Sequence, residues 1–501
     1  MSLKKSLIVV IYILACSELC KSESHKIVIV GAGLSGMSTG AKLMENGIDD
    51  FVILEAEDRI GGRIHSVPFS NGFVDLGGQW IHGEKGNAIF EMVRGNFDLG
   101  NDQFYENLMD FRLSNGKFAN PEQSNNLFAI LYNLYEEAYS PGVKNVSLGE
   151  ILETGYEKIL KLLSEDEVVD ENLAKQVFDL FLKQQNANYA SNSLYDVSAI
   201  YNNYTQECEG NQTITWKTKG FKSVFDFITK KLPDPSKFLN VESKVQLNKQ
   251  VININWDIDS NYTEEVKVTC SDGSTYTADI VVFTGSLGVL KARHEKLFTP
   301  KLPENKIKAI ENIGFGVLGK VFLEFDEPFW PVDDNNWSEY FFLWNEDDLK
   351  NISSTELKWI VNVIGFFKLK SFPNVLEGMI VGDDSIKEFE RFDDKTLVDQ
   401  FTWLLEKFLG KKVQNPKAMI RNRWFSNDNF LGTYSYLTME SQKYRVTPDT
   451  LALPLYNSDG KLVVLFAGEA THHKYSSYSH GAVESGWKAG NEIAKYLSKF
   501  Q

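Results

Sequence analysis

Cysteine is scarce. A chain of 501 residues carries four, and two of them, Cys16 and Cys20, fall within its first twenty positions. Cys208 and Cys270 remain, too few for a disulfide framework, and no CxxC or His/Asp spacing marks a metal site. An exported chain could bridge the pair, yet Cys270 ends an alternating pattern (Val266, Val268, Cys270) and serves equally as an ordinary buried thiol. Positive charge is also short. The 52 Lys and Arg stand against 68 Asp and Glu, a formal net charge of −16. Such a surface repels phosphate backbones, and with no basic stripe interleaved with aromatics it excludes nucleic acid as a partner. It attracts polycations, although acidity also serves plain solubility. Missing as well are an apolar run long enough to span a bilayer, an internal repeat and a low-complexity linker.

The apolar run from Leu7 to Ala15 follows Lys4 and Lys5, and the small residues Ala15 and Ser17 offer a cleavage position. That is the layout of a signal peptide over 1–20 rather than of a membrane anchor. It predicts a secreted protein whose mature chain begins between Glu18 and Glu23. Acceptor sequons at Asn145, Asn203, Asn211, Asn261, Asn336 and Asn351 agree with a glycoprotein, though an asparagine-rich chain acquires several by chance.

What is present starts at Lys26. Lys26-Ile27-Val28-Ile29-Val30 reads as a buried parallel strand, Gly31-Ala32-Gly33-Leu34-Ser35-Gly36 as a tight turn, Met37 to Asn46 as a helix, and Phe51 to Leu54 as a second strand ending at Glu55. This is the arrangement of a dinucleotide site. Gly31 permits the turn, Gly33 lets backbone approach a pyrophosphate, and Gly36 lets the helix pack close to the sheet. The helix N-terminus offers free N–H groups to phosphates, and Glu55 stands where a carboxylate can accept ribose hydroxyls.

Glu55-Ala56-Glu57-Asp58-Arg59-Ile60-Gly61-Gly62-Arg63 resembles the segment that follows the ribose-binding acid in the flavin-containing amine oxidases. Gly77-Gly78-Gln79-Trp80-Ile81-His82-Gly83 resembles the family's next block, in the version carried by animal spermine and acetylpolyamine oxidases. Two later segments complete the likeness: Ile280 to Leu290, and Leu462 to Phe466 with Ala467-Gly468-Glu469-Ala470-Thr471 and the helix opened by Gly481-Ala482-Val483. The resemblance spans nearly all of 26–498 and points to FAD. It implies cofactor contacts from Gly31, Gly33, Leu34, Ser35, Gly36, Glu55, Ala56, Arg59, Gly62, Arg63, Gly78, Gln79, Trp80, Val245, Trp424, Gly468, Glu469, Gly481, Ala482 and Val483. Covalent members carry a cysteine beside the flavin. Neither Cys208 nor Cys270 sits in the matching segments, Gly432 to Tyr436 and Tyr475 to Gly481, so noncovalent FAD is expected.

Periodicity supplies the rest of the layout. Leu127, Ile130, Leu131 and Leu134, then Ile151, Ile159 and Leu160, then Leu173, Val177 and Phe181 recur at helical spacing. Strands are read at Phe238–Val241, Val245–Ile254, Val266–Cys270, Tyr276–Phe283, Val317–Phe325, Leu357–Phe366, Glu377–Val381 and Ala418–Trp424. A helix through Leu397, Phe401, Leu404 and Phe408 closes at Gly410. The expected fold is α/β, with a discontinuous Rossmann-like FAD-binding domain (25–104, 235–315 and 440–501) and an α+β substrate-binding domain of mixed sheet and helices (105–234 and 316–439).

The resemblance also implies the site. Lys320 matches the lysine that reaches flavin N5 through water, and burying it requires partners. Tyr434 and Tyr478 match two aromatic walls of the substrate cavity, and His82 matches a histidine near the substrate amine whose titration near neutrality could gate binding. The expected reaction is oxidation of a secondary amine of spermine or N1-acetylpolyamine by O2, giving an aldehyde, a shorter amine and H2O2. Spermine oxidases carry threonine near the Tyr478 position, which leaves the amine open. So do two alternatives: a secreted L-amino-acid oxidase, for which no arginine suited to a carboxylate is evident, and a catalytically silent flavoprotein.

Overall fold

The first strand, Glu23–Val30, has its apolar end fully buried and pairs in parallel with Phe51–Leu54 on one side and Thr275–Phe283 on the other. Both partners end in unbroken apolar runs, as strands covered on two faces must. A computed structural model describes residues 22–101, 109–138, 145–164, 170–200, 204–257, 265–332 and 339–499. The expected leader over 1–20 and the sequon asparagines Asn203, Asn261 and Asn336 lie outside these residues.

Those three strands are the middle of a nine-stranded sheet. Leu462–Phe466 continues it in parallel beside Thr275–Phe283, the hairpin strand Val266–Cys270 and then Val251–Asn255 extend one edge, and Val245–Gln246 closes the other. Two helices cover one face together. Leu34–Glu45 follows the glycine turn, and the closing helix Ser479–Leu497 lies against it so tightly that a Cβ at Gly486 would stand 2.3 Å from the Ser35 carbonyl oxygen. Thr39 donates its hydroxyl to the Gly486 carbonyl across this contact.

A second sheet of six strands runs Ala418–Arg421, Gly319–Glu324, Phe372–Ile380, Val363–Leu369, Glu339–Leu343 and Asp110–Leu113. Helices Pro121–Glu137, Leu148–Ser164 and Glu171–Tyr189 pack their apolar stripes on one side of it, and Asp394–Leu409 packs on the other. That last helix ends at Gly410, which takes the left-handed conformation (φ 62°) expected of a glycine stop. The fold is α/β.

Three expected strands are corrected. Phe238–Val241 is no strand: 3-10 turns at Pro235–Lys237 and Val241–Lys244 occupy the region. Val245–Ile254 is broken in two, because Asn248 adopts a left-handed backbone (φ 57°) that no ladder accepts. The first half of Leu357–Phe366 is a 3-10 turn, Lys358–Asn362, whose Trp359 is buried and donates its indole N–H to Gln400 on the neighbouring helix. Cys208 and Cys270 are free, buried thiols. Among the described residues no helix is long and apolar enough to cross a membrane.

Candidate active site

At the C-terminal ends of the parallel strands lies an elongated cavity enclosing about 1220 Å³ of atom-free space, part of it open to solvent. Its lining runs from the glycine turn and Glu55 to Glu469 and Tyr478, a span that suits an extended dinucleotide. Its position outside the carboxyl edge of a parallel sheet is where such folds bind ligands. Val30, Leu54 and Phe283 bring three strand ends to it, and Gly31, Gly33, Leu34 and Ser35 bring the turn.

The turn is shaped to leave room. Gly31 holds φ at +104°, and a Cβ on Gly36 would stand 1.9 Å from the Gly31 carbonyl oxygen, so the helix can begin this close only without side chains. At Gly33 an added Cβ would make only ordinary contacts, its nearest atoms being 3.9 Å away on Gly61 and Gly62. Gly33 is also the N-cap of the helix and offers no side chain to its first N–H groups. An anion placed there meets free donors and the positive end of the helix dipole. Glu55 stands beside it, its carboxylate accepting from Ala32 N–H at 2.6 Å and Glu57 N–H at 2.9 Å. Burial nevertheless pushes its pKa upward.

Toward the other end the wall passes through Ala56, Gly62, Arg63, Gly78, Gly468, Glu469, Ser477 and Ala482. Glu469 is buried and organises this region. It accepts from Arg63 at 2.9 Å, from the Ser435 hydroxyl at 2.6 Å and from Ser477 N–H at 3.0 Å, tying three separated segments together. The closing helix begins here with Tyr478 as an N-cap that makes no side-chain cap, so its free N–H groups also face the cavity.

Several expected cofactor residues stand behind this wall rather than in it. Gly36 and Gly481 permit close packing; a Cβ on Gly481 would meet the Tyr475 carbonyl at 2.0 Å. Arg59 turns its guanidinium onto the carbonyls of Ile60, Gly62 and Ile64 and so pins the loop. Trp424 donates to the Leu76 carbonyl at 2.8 Å, and Val483 is fully buried in the core. Val245 does not border the cavity: it pairs with Ile53 at the sheet edge, and the chain reaches the cavity after the Asn248 turn, through Lys249, Gln250 and Val251. That trio is hidden from sequence reasoning because apolar flanks make the turn look like continuous strand; Arg293 and Asn429, also at the cavity, carry no local signal.

Lys320 lies behind Gly78. Its ammonium donates to the Gly77 carbonyl at 3.2 Å and to Gln79 Oε1, and lies 5.1 Å from the Trp80 ring centre. Gln79 in turn donates to Glu377 at 2.8 Å, and Glu377 pairs with Lys320 at 3.4 Å. Glu377 is fully buried. Sequence reasoning missed Glu377, because its partnership with Lys320 and Gln79 exists only once the strands pair. Asp75 is close enough for both charges to act on it, and burial pushes its pKa up to about 6.

Tyr434 and Tyr478 both border the cavity. Tyr434 donates its hydroxyl to the Ala187 carbonyl, and Tyr478 faces Glu207 with 3.5 Å between the oxygens. Burial pushes both phenols well above their ordinary range. Glu207 is raised too, by burial and then by Glu136 nearby. His82 sits edge-on to Tyr478 with ring centres 5.4 Å apart. Burial, then the Lys320 charge, holds its pKa down at about 4, below the neutrality expected from its sequence position.

Comparison with known proteins agrees with this geometry. The model of a family described as flavin containing amine oxidoreductase matches residues 34–494. Peroxisomal N(1)-acetyl-spermine/spermidine oxidases of Bos taurus and Homo sapiens are each 29% identical over 93% of this chain and 94% of their own. Polyamine oxidase 1 of Zea mays is 27% identical over 94% of this chain and 90% of its own. A solved structure of a redesigned putrescine oxidase superposes with a TM-score of 0.65 at 15% identity, covering 95% of this chain and all of that one, which shows the shared fold. The comparison overturns the expected extracellular location: relatives aligned over nearly the whole chain are named as peroxisomal, and the apolar run behind that expectation lies outside the described residues.

Proposed function

The chain belongs to the flavin-containing amine oxidoreductases, an enzyme family, and from that premise we propose that it oxidises a secondary amine of spermine or an N1-acetylated polyamine. The observation that carries this reading is the end of the cavity bordered by Tyr434 and Tyr478, with the exposed carboxylate of Glu207 3.5 Å from the Tyr478 hydroxyl oxygen. Two aromatic walls suit a methylene chain and attract a cation on its way in. A carboxylate beyond them suits the distal ammonium of a polyamine. His82, held neutral by burial, adds no charge against that ligand and can accept a hydrogen bond from the reacting nitrogen.

When bound, FAD supplies the two-electron acceptor, and oxygen finally takes the electrons as hydrogen peroxide. Gly33 and the helix it caps would hold the pyrophosphate, Glu55 the ribose, and the start of the closing helix the flavin ring. Lys320, Gln79 and Gly78 would form the polar support behind the reacting edge. No cysteine is among the residues bordering the cavity, which supports noncovalent attachment. The membership of the two sheets supports dividing the chain into a cofactor part (25–104, 235–315, 440–501) and a substrate part (105–234, 316–439).

A panel of spermine, spermidine, their acetyl forms, benzylamine and L-amino acids, assayed by peroxide release from the FAD-loaded protein, tests the reading. Turnover of the polyamines is expected. Turnover confined to L-leucine or L-phenylalanine would move the protein to amino-acid oxidation, and no turnover at all would favour a silent flavoprotein.

A further inference from the structure

Asn87 is fully buried and caps the short helix Ala88–Val93, its Oδ1 accepting from Ile89 N–H at 3.0 Å and Phe90 N–H at 3.1 Å. Those two bonds fix which end of the amide is which. Its NH2 group therefore points the other way, donating to the His82 carbonyl at 2.9 Å and to His480 Nδ1 at 3.2 Å. An amide NH2 can only donate, so Nδ1 must carry a lone pair and the proton of the neutral imidazole resides on Nε2. That nitrogen is 3.7 Å from Cys208 Sγ, which accepts.

The His480 ring is almost wholly buried. It lies near-parallel to Tyr478 with centres 5.2 Å apart and edge-on to Tyr475 at 4.5 Å. Tyr478 also meets His82, edge-on. One side chain, Asn87, thus holds the backbone of His82 and, through His480, the ring of Tyr478.

We propose that Asn87, His480 and Cys208 form a positioning relay that sets the relative placement of His82 and Tyr478 and keeps the ring behind Tyr478 uncharged, so that a cationic amine can approach. The proposal rests on the reading that His82 and Tyr478 border the substrate amine. Burial, then His82 and His472, hold the His480 pKa down at about 3. The titratable groups around it are His82, His472, Cys208, Tyr475 and Tyr478, with Glu207 and Glu484 acting on the thiol from farther out. Neither carboxylate touches the imidazole, so nothing native calls a proton onto Nδ1.

Asn87→Asp would change that with almost no change of shape. One oxygen still caps the helix, while the other presents an acceptor to Nδ1 and favours an imidazolium. The test is stopped-flow reduction of the FAD-loaded variants by spermine across pH, with His480→Phe as a second variant that keeps a ring against Tyr478 but strands the Asn87 donor, and His480→Gln as the conservative control. Expected for both N87D and H480F is a rise of about tenfold or more in the amine concentration giving half-maximal reduction, with a smaller change in limiting rate. H480Q should restore part of the loss, and N87D should show an ionisation in the pH profile that the parent lacks. Parent-like half-saturation and an unaltered pH profile in folded N87D or H480F would overturn the relay, as would losses confined to melting temperature and FAD content. If no amine reduces the parent protein, the underlying reading of the site fails instead.

Discussion

At the scale of single residues, the buried cluster behind Gly78 makes the sharpest demands. Lys320 and Glu377 are both nearly inaccessible and are joined through Gln79. Breaking such a pair leaves an uncompensated charge and costs about 3–5 kcal/mol. Lys320→Met should therefore slow flavin reduction or reoxidation by about tenfold or more and also lower the melting temperature, with FAD still bound. Lys320→Met/Glu377→Leu removes both charges, so it should recover much of the stability and none of the rate. Recovery of rate in the double variant, or parent-like rates in the single one, would take Lys320 out of the chemistry. Lys320 was legible in the sequence because a family motif surrounds it. Glu377 and Asn87 were not: each is a lone polar residue whose partner lies hundreds of positions away or depends on a helix cap, and no local pattern encodes that.

At the scale of elements, the legible parts were those in which local pattern and tertiary role coincide. The first strand, the glycine turn, Phe51–Leu54, Thr275–Phe283 and Leu462–Phe466 are all continuous apolar runs or glycine turns, and each borders the cavity or, as Leu462–Phe466 does through Gly468, leads into it. Asp110–Leu113 escaped notice because only four residues long, inside a helical region, it gains strand geometry by pairing with Glu339–Leu343 far along the chain. The Leu247–Gln250 turn escaped because its apolar flanks mimic an unbroken strand. The turn that opens the first helix yields a direct test. Gly36→Ala places a methyl 1.9 Å from the Gly31 carbonyl, which forces helix and turn apart and spoils the anion-binding end. We expect loss of most bound flavin, measured as flavin absorbance per protein after gel filtration. Gly47→Ala, where nothing lies within 4 Å of the added atom but φ is +74°, should keep its flavin at some cost in stability. Full flavin in G36A would contradict the role assigned to that turn.

At the scale of the whole molecule, the titrating groups give a stability profile with a defined sign. Burial holds His65 and His82 down at about 4 and His480 at about 3, against about 6.5 for an exposed histidine. Between those values the unfolded chain binds more protons than the folded one, so stability is fully present above about pH 6.5 and falls as pH drops toward 4. Asp75, raised to about 6, and Glu55 and Glu207, also raised by burial, oppose this at lower pH, since a buried acid prefers the proton. Replacing His65 and His480 by Gln should therefore flatten the fall in urea midpoint between pH 6.5 and 4.5, and a fall as steep as the parent's would refute the histidine contribution. The architecture as a whole places a cavity at the carboxyl edge of the parallel sheet, with Tyr434 and Tyr478 among the residues that border it. The most direct test of the account is anaerobic mixing of the FAD-loaded protein with spermine or N1-acetylspermine while the flavin band is followed. The account predicts that the band bleaches on mixing and returns on admitting oxygen, with one equivalent of peroxide per flavin; a band that stays oxidised with every polyamine yet bleaches with L-amino acids would contradict it.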